Sequence, residues 1–235
     1  MIKMQSPRKN KLLKDLPVAE YECIFPHLEL IQTSLGEVLF EPGEKLQYLY
    51  FPTNCFASLF YDAENGSSTE IASVGNDGAV GVAIFLSGTA IYRAVVQSPG
   101  YAYRMQKSLV MQQFNQHGSL FHKLLNYTQS LITYTAQTAV CNRFHTVDQR
   151  LCRFLLLSLD RLPSNELFLT QELIANILGV RREGITEAAG KLQQAGLIQY
   201  SRGHITVLDR PGLEARVCEC YQVVKTESEI GRAHV

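Results

Sequence analysis

The chain has 235 residues, enough for one large domain or two small ones, and its 46% hydrophobic and 19% charged content excludes wholesale disorder. Lysine plus arginine and aspartate plus glutamate number 22 each, so net charge gives no polyelectrolyte role. No apolar run reaches the roughly 18 residues that span a bilayer, and the basic start MIKMQSPRKNKLLKDL lacks the apolar core of a signal peptide, so a cytoplasmic protein without membrane contact is expected.

The six cysteines, Cys23, Cys55, Cys141, Cys152, Cys218 and Cys220, are scattered where a secreted disulfide framework would be dense. Only Cys218 and Cys220 form a close pair, and no second pair completes a zinc site. No metal site is expected; the cysteines read as unpaired, partly buried thiols.

From Leu28 to about Lys107 the chain is a series of short apolar runs separated by turn residues. The runs are Gly36 to Glu41, Tyr48 to Phe51, Phe56 to Tyr61, Glu70 to Val74, Arg93 to Gln97 and Tyr101 to Met105. Pro42, Gly43, Pro52 and the turn at Glu64, Asn65 and Gly66 fall between them, as expected for the strands of a sandwich or barrel.

The pattern changes at about Leu109. From there to Asn142 there is no proline, Gly118 is the only glycine, and apolar pairs recur at a seven-residue spacing: Leu124 and Leu125, Leu131 and Ile132, Thr138 and Ala139. Phe121, Thr128 and Thr135 lie between the pairs, and between Phe121 and His145 only Lys123 and Arg143 are charged. A solvated helix face carries more charge than this, so the stripe is read as packing on its own domain and on a second copy of the chain. The alternative is an ordinary intramolecular core helix. A further helix, Val147 to Leu162, follows and is broken at Pro163, Ser164 and Asn165.

The next segment carries the function. Thr170 can cap a helix start, Glu172 suits its positive end, and Leu173, Ile174, Ile177 and Leu178 form an apolar face that ends at Gly179. A second helix places Ile185, Ala188, Ala189 and Leu192 inward and stops at Gly196. Small Ala175 lets the helices approach, Gly179 turns the chain, and Ile185 fills the angle between them, which is a helix-turn-helix. Two short strands, Leu197 to Tyr200 and Ile205 to Leu208, enclose the polar turn from Ser201 to His204 and form a wing.

In this succession the sequence resembles the Crp/Fnr superfamily of bacterial transcription regulators. Its sharpest local match is Ile177 to Glu183, with Arg182 and Glu183 opening the second helix. The resemblance implies an α+β fold: an N-terminal antiparallel β-roll of jelly-roll type, a long dimerisation helix and a C-terminal winged helix-turn-helix. Residues 1–120 are then a cyclic-nucleotide-binding-like sensor, 121–145 the dimerisation helix and hinge, and 146–228 the DNA-binding domain. The expected partners are double-stranded DNA, a second copy of the chain and RNA polymerase. The dimer seam would be Phe121, Leu124, Leu125, Thr128, Leu131, Ile132, Thr135 and Ala139. Residues 229–235, EIGRAHV, match the translation of the sequencing-adapter codons GAG ATC GGA AGA GCA CAC GTC and are read as a non-native tail outside the fold.

The chemistry of the helix-turn-helix fits DNA on its own terms. An arginine fork can engage guanine O6 and N7, and a glutamate can accept from cytosine N4, so Arg181, Arg182, Glu183, Thr186 and Glu187 are the candidate base readers. Thr170, Gln171, Ser201, Arg202 and His204 are the candidate phosphate contacts. Glu187 stands where family members commonly carry a further arginine, so their half-site preference does not transfer. Residues 146–228 hold ten basic and ten acidic side chains, so attraction to DNA has to come from local placement.

The candidate effector segment departs from the pattern of cyclic-nucleotide-binding relatives, which supply glycine and glutamate and then an arginine followed by serine or threonine. Gly81 is kept, Val82 stands for the glutamate, Tyr92 for the arginine, and Arg93 is displaced by one position, which on a strand turns it to the opposite face. Cyclic AMP is not expected to bind, and no cofactor is assigned. Only Cys23 lies in the first fifty residues, against iron–sulfur sensing of the family type, and His27, His117 and His122 are haem ligands by residue type alone. No Ser-His-Asp signature, phosphate-cradling glycine loop or His-Glu-x-x-His spacing is present, so an enzyme is not expected. The competing reading is an effector-independent or protein-interaction module that uses the winged helix as its partner surface.

Overall fold

The computed structural model describes residues 6–233 apart from Asn65, Ser67 and Pro163, with the helix backbone alone for 229–233. The expected turn at Asn65, the break at Pro163 and the side chains of the 229–235 tail therefore lie outside the described residues. Two short helices, α1 (Lys11–Lys14) and α2 (Val18–Ile24), open the fold and bury Leu12, Leu13 and Ile24 against the core.

Seven strands follow: β1 (Glu29–Thr33), β2 (Val38–Phe40), β3 (Tyr48–Pro52), β4 (Phe56–Asp62), β5 (Ser68–Val74), β6 (Arg93–Ser98) and β7 (Gly100–Gln106). They pair antiparallel into two sheets, of order β1-β7-β3 and β2-β6-β4-β5. Alternation decides what points inward: along β3, Leu49 and Phe51 are fully buried between the half-exposed Tyr48 and Tyr50. All six apolar runs are strands. The seventh strand, β1, is largely exposed along its length and carries little periodic signal.

The helical stretch comprises two helices, α3 (Lys107–Asn115) and α4 (Ser119–Phe144), the second lying over the expected 121–145 segment. His117 adopts a φ of 54° and breaks the path just before Gly118, while the Glu20 carboxylate accepts from the amides of Ser119 and Leu120 at 3.0 and 2.7 Å and caps α4. α5 (Val147–Leu159) starts on a reciprocal capping box between Thr146 and Gln149 and ends three residues before the expected Leu162.

β8 (Glu166–Phe168), α6 (Gln171–Leu178), α7 (Arg182–Gln194), β9 (Ile198–Ser201) and β10 (His204–Val207) complete the winged unit, with sheet order β8-β10-β9. The chain ends in α8 (Arg210–Glu214) and α9 (Cys220–Ala233), and α9 packs along α4.

A polar latch joins the winged unit to the β-roll, and the sequence gives no warning of it. Arg161, just beyond α5, is buried; it donates to the Asp77 carboxylate at 3.2 Å and to Ser73 at 2.7 Å, and its guanidinium lies 5.3 Å from the centre of the Tyr134 ring. Arg153 covers the same ring at 5.1 Å and donates to Thr138 at 3.1 Å. Burial pushes the nearby Glu70 carboxyl up to about 7, against the opposing pull of a hydrogen bond from Ser58 and the charges of Arg161 and Arg153.

Candidate nucleic-acid interface

Each part of the helix-turn-helix has a local cause. The Thr170 hydroxyl accepts from the Leu173 amide at 3.2 Å, and Gly179, at φ 61°, ends α6 in the left-handed turn that a side chain resists. Ala175 and Ile185 are buried in the angle between α6 and α7. Arg150 of α5 donates to the Leu178 carbonyl and so supplies a cation at the negative end of α6. At the wing tip Arg202 and Gly203 both have positive φ, 49° and 79°, as a two-residue hairpin turn between β9 and β10 requires.

The candidate base readers fall into two groups. Arg181, Arg182 and Glu183 are exposed at the first turn of α7, and their side chains make no ion pair among the described residues. They are free to take an external partner. Thr186 instead donates to Gln171 at 2.8 Å and ties the two helices together, and Glu187 pairs with Lys191 at 2.9 Å. The phosphate candidates divide in the same way. Ser201 and Arg202 are exposed at the wing tip, whereas Thr170 caps α6 and Gln171 is engaged with Thr186. His204 stacks on Phe168 with ring centres 4.7 Å apart, its Nε2 lying 3.6 Å from Glu166.

The candidate dimer residues also separate. Leu124 is buried in the chain's own core, Leu131 packs against that core, and Phe121 sits edge-on to Phe114 at 4.6 Å. Thr128 and Thr135 bond back to the carbonyls of Leu124 and Leu131. Thr135 is nevertheless exposed, as are Leu125, Gln129, Ile132, Ala136, Ala139, Val140 and Arg143. Leu125, Gln129, Ile132, Ala136 and Ala139 alternate by four and three, the spacing of a two-helix seam. Gln129, Ala136, Val140 and Arg143 are additions to the stripe read from sequence.

In the β-roll, Gly81 has φ 100° at the start of a short 3-10 turn, and Val82 is buried in that turn. Tyr92 is buried against Phe40, its hydroxyl has no hydrogen-bond partner among the described residues, and burial pushes that phenol up to about 12. Arg93 points away from Tyr92 and makes a two-pronged ion pair with Asp62 at 3.1 and 3.2 Å. It also lines a cleft of about 700 Å³ between the roll and α6, with Phe60, Gln97, Asn176 and Arg181 among the other walls. α6 packs directly on β5, so the winged unit rests against the roll.

The profile of the cyclic nucleotide-binding domain matches residues 31–117, and that of the Crp-like helix-turn-helix domain matches residues 149–216. The chain belongs to the Crp/Fnr family. The regulator is similar in fold to FixK2 from Bradyrhizobium japonicum, at a TM-score of 0.67 and 15% identity over 81% of this chain and 98% of that one. A Crp/Fnr-family transcription regulator from Thermus thermophilus gives 0.61 and 19% over 80% and 97%. The c-di-GMP-responsive regulator CLP of Xanthomonas campestris gives 0.62 and 17% over 81% and 99%. No curated protein sequence matches the chain significantly. The regulator thus joins a cyclic-nucleotide-binding-like β-roll to a DNA-binding winged helix, and among the described residues no helix is long and apolar enough to cross a membrane.

Proposed function

We propose that the regulator acts in the cytoplasm as a homodimer that inserts α7 of each copy into the major groove of an inverted repeat. Arg181, Arg182 and Glu183 read base edges, and Ser201 and Arg202 hold the flanking phosphates. The observation that carries this reading is the exposed Arg-Arg-Glu at the start of α7, which makes no ion pair among the described residues, in a unit whose wing offers Arg202 as a further cation without an ion pair among them. Thr186 and Gln171 hold the two helices in register, and His204 stiffens the wing against Phe168. We assign no catalytic activity.

Cyclic AMP is not the effector in this reading. Buried Val82 and Tyr92 occupy the positions of the phosphate-binding groups, and Arg93 is already neutralised by Asp62. A cyclic phosphate placed there would lose its water without gaining a cation. An effector that changes the fit of α6 on β5 would shift the DNA-binding equilibrium, since both units share that contact.

Arg202→Ala separates phosphate holding from base reading. It is expected to weaken all duplexes alike and to reduce the slope of log affinity against log salt by about one, while leaving the order of preference among sequences unchanged. Mobility shifts across a salt series measure both. An altered order of preference would remove Arg202 from the phosphate role, and the absence of any shift at low salt would favour the protein-interaction reading.

A further inference from the structure

The fold brings together four residues that the sequence separates. The Sγ atoms of Cys141, Cys218 and Cys220 and one ring nitrogen of His145 all lie within 4.8 Å of one another. Cys141 and His145 are one turn apart at the end of α4, in the hinge before α5, while Cys218 and Cys220 lead into α9. The expectation that no second cysteine pair completes a metal site rested on sequence spacing. In space the second pair is Cys141 and His145.

We propose that Cys141, His145, Cys218 and Cys220 hold one thiophilic divalent cation, zinc in the first place, and that this ion pins the hinge and the start of α9 to the long helix. Two of the six separations among these atoms match the edges of a single tetrahedral ion, and the others stay within 4.8 Å. Bonds of about 2.3 Å to sulfur and about 2.0–2.1 Å to nitrogen give tetrahedral edges of about 3.8 Å between sulfurs and about 3.5 Å from sulfur to nitrogen. The structure has 3.7 Å between Cys141 Sγ and Cys218 Sγ, and 3.5 Å between Cys220 Sγ and His145 Nδ1. A multi-iron cluster would hold its thiolates further apart, and a set of three sulfurs and one nitrogen disfavours the oxygen-seeking ions magnesium and calcium.

The surroundings complete the site. All three thiols are buried and form a cluster of their own, apart from the main core. The other ring nitrogen of His145, Nε2, lies 3.3 Å from the Glu219 carboxylate, the outer partner that holds a metal-binding imidazole in the required tautomer. Three thiolates and a neutral imidazole leave a zinc site with one net negative charge, and buried Arg153 stands close enough to act electrostatically on both Cys141 and Cys220. The consequence is mechanical. One ligand pair ends the long helix and the other begins the helix packed along it, so the ion fixes the joint about which the winged unit would move.

The full chain, purified under reducing and chelator-free conditions, is expected to carry about one equivalent of zinc, and Cys218→Ser to fall below about a tenth of that. Cobalt substitution of the wild type should give intense tetrahedral bands with thiolate-to-metal charge transfer. Cys23→Ser, which alters an exposed thiol outside the cluster, should retain the metal. Stripping the wild type should speed amide exchange in residues 141–145 and 218–224 by about tenfold or more. Should Cys218→Ser fail to fold, the wild-type stoichiometry and cobalt spectrum still decide. A wild type that holds less than about a tenth of an equivalent and gives no thiolate–cobalt bands on reconstitution would overturn the site. Unchanged exchange at the hinge after stripping would overturn its mechanical role.

Discussion

Replacing Leu125 and Ile132 together with aspartate is expected to leave the chain folded, to make it sediment as a monomer, and to weaken binding to a two-half-site duplex by about 10²–10⁴-fold. Both side chains face outward, at 39% and 58% exposure, so two carboxylates there disturb the single chain little. Across a symmetric seam each meets its own copy, and four carboxylates would be buried against one another. The loss in DNA binding follows because a monomer engages one half-site and forgoes the effective concentration that the second copy provides. Leu124→Asp is the contrasting variant: Leu124 is buried within its own chain, so aspartate there should unfold the roll rather than split a dimer. A double variant that still sediments as a dimer would remove this face of α4 from the interface.

Arg161→Ala is expected to destabilise the chain by about 3–5 kcal/mol, seen as a lower urea midpoint. The substitution leaves the Asp77 carboxylate in place, only 14% exposed, after removing the guanidinium 3.2 Å away. It also removes the donor to Ser73 and one of the two cations flanking the Tyr134 ring. Because Asp77 belongs to the loop after β5 and Arg161 to the segment after α5, the loss should appear as loosening between roll and winged unit. Pairing it with Asp77→Asn should recover part of the stability, since an amide costs less to bury than a carboxylate. A urea midpoint unchanged in Arg161→Ala would show that the latch contributes nothing.

The elements that the sequence displays are those set by local chemistry. The six β-roll strands are bounded by proline and glycine, and the helix-turn-helix carries its cap at Thr170, its turn at Gly179 and its packing residues at Ala175 and Ile185. What it hides depends on chain segments meeting across distance. The apolar pattern pauses over the run from Asn115 to Ser119, yet the positive φ of His117 that separates α3 from α4 is not announced by its residue type. The seven-residue repeat places Leu124 and Leu125 on one stripe, yet only the docking of β5 and α9 decides that Leu124 turns inward and Leu125 outward. Arg153 and Arg161 read as polar interruptions of a helix until Tyr134, Ser73 and Asp77 are brought to them. The cysteine and histidine cluster is illegible for the same reason, because its two halves lie 77 residues apart.

Selection of bound duplexes from a random library, run in parallel with the wild type and Arg182→Ala, tests the reading of this chain as a base-reading dimer most directly. The wild type should enrich an inverted repeat whose half-site centres lie about one helical turn, roughly 34 Å, apart. Arg182→Ala should enrich the same repeat with one guanine per half-site relaxed, at a cost of about 1–3 kcal/mol for the lost contact. Identical motifs from the two proteins, or no enriched repeat from the wild type, would contradict the account.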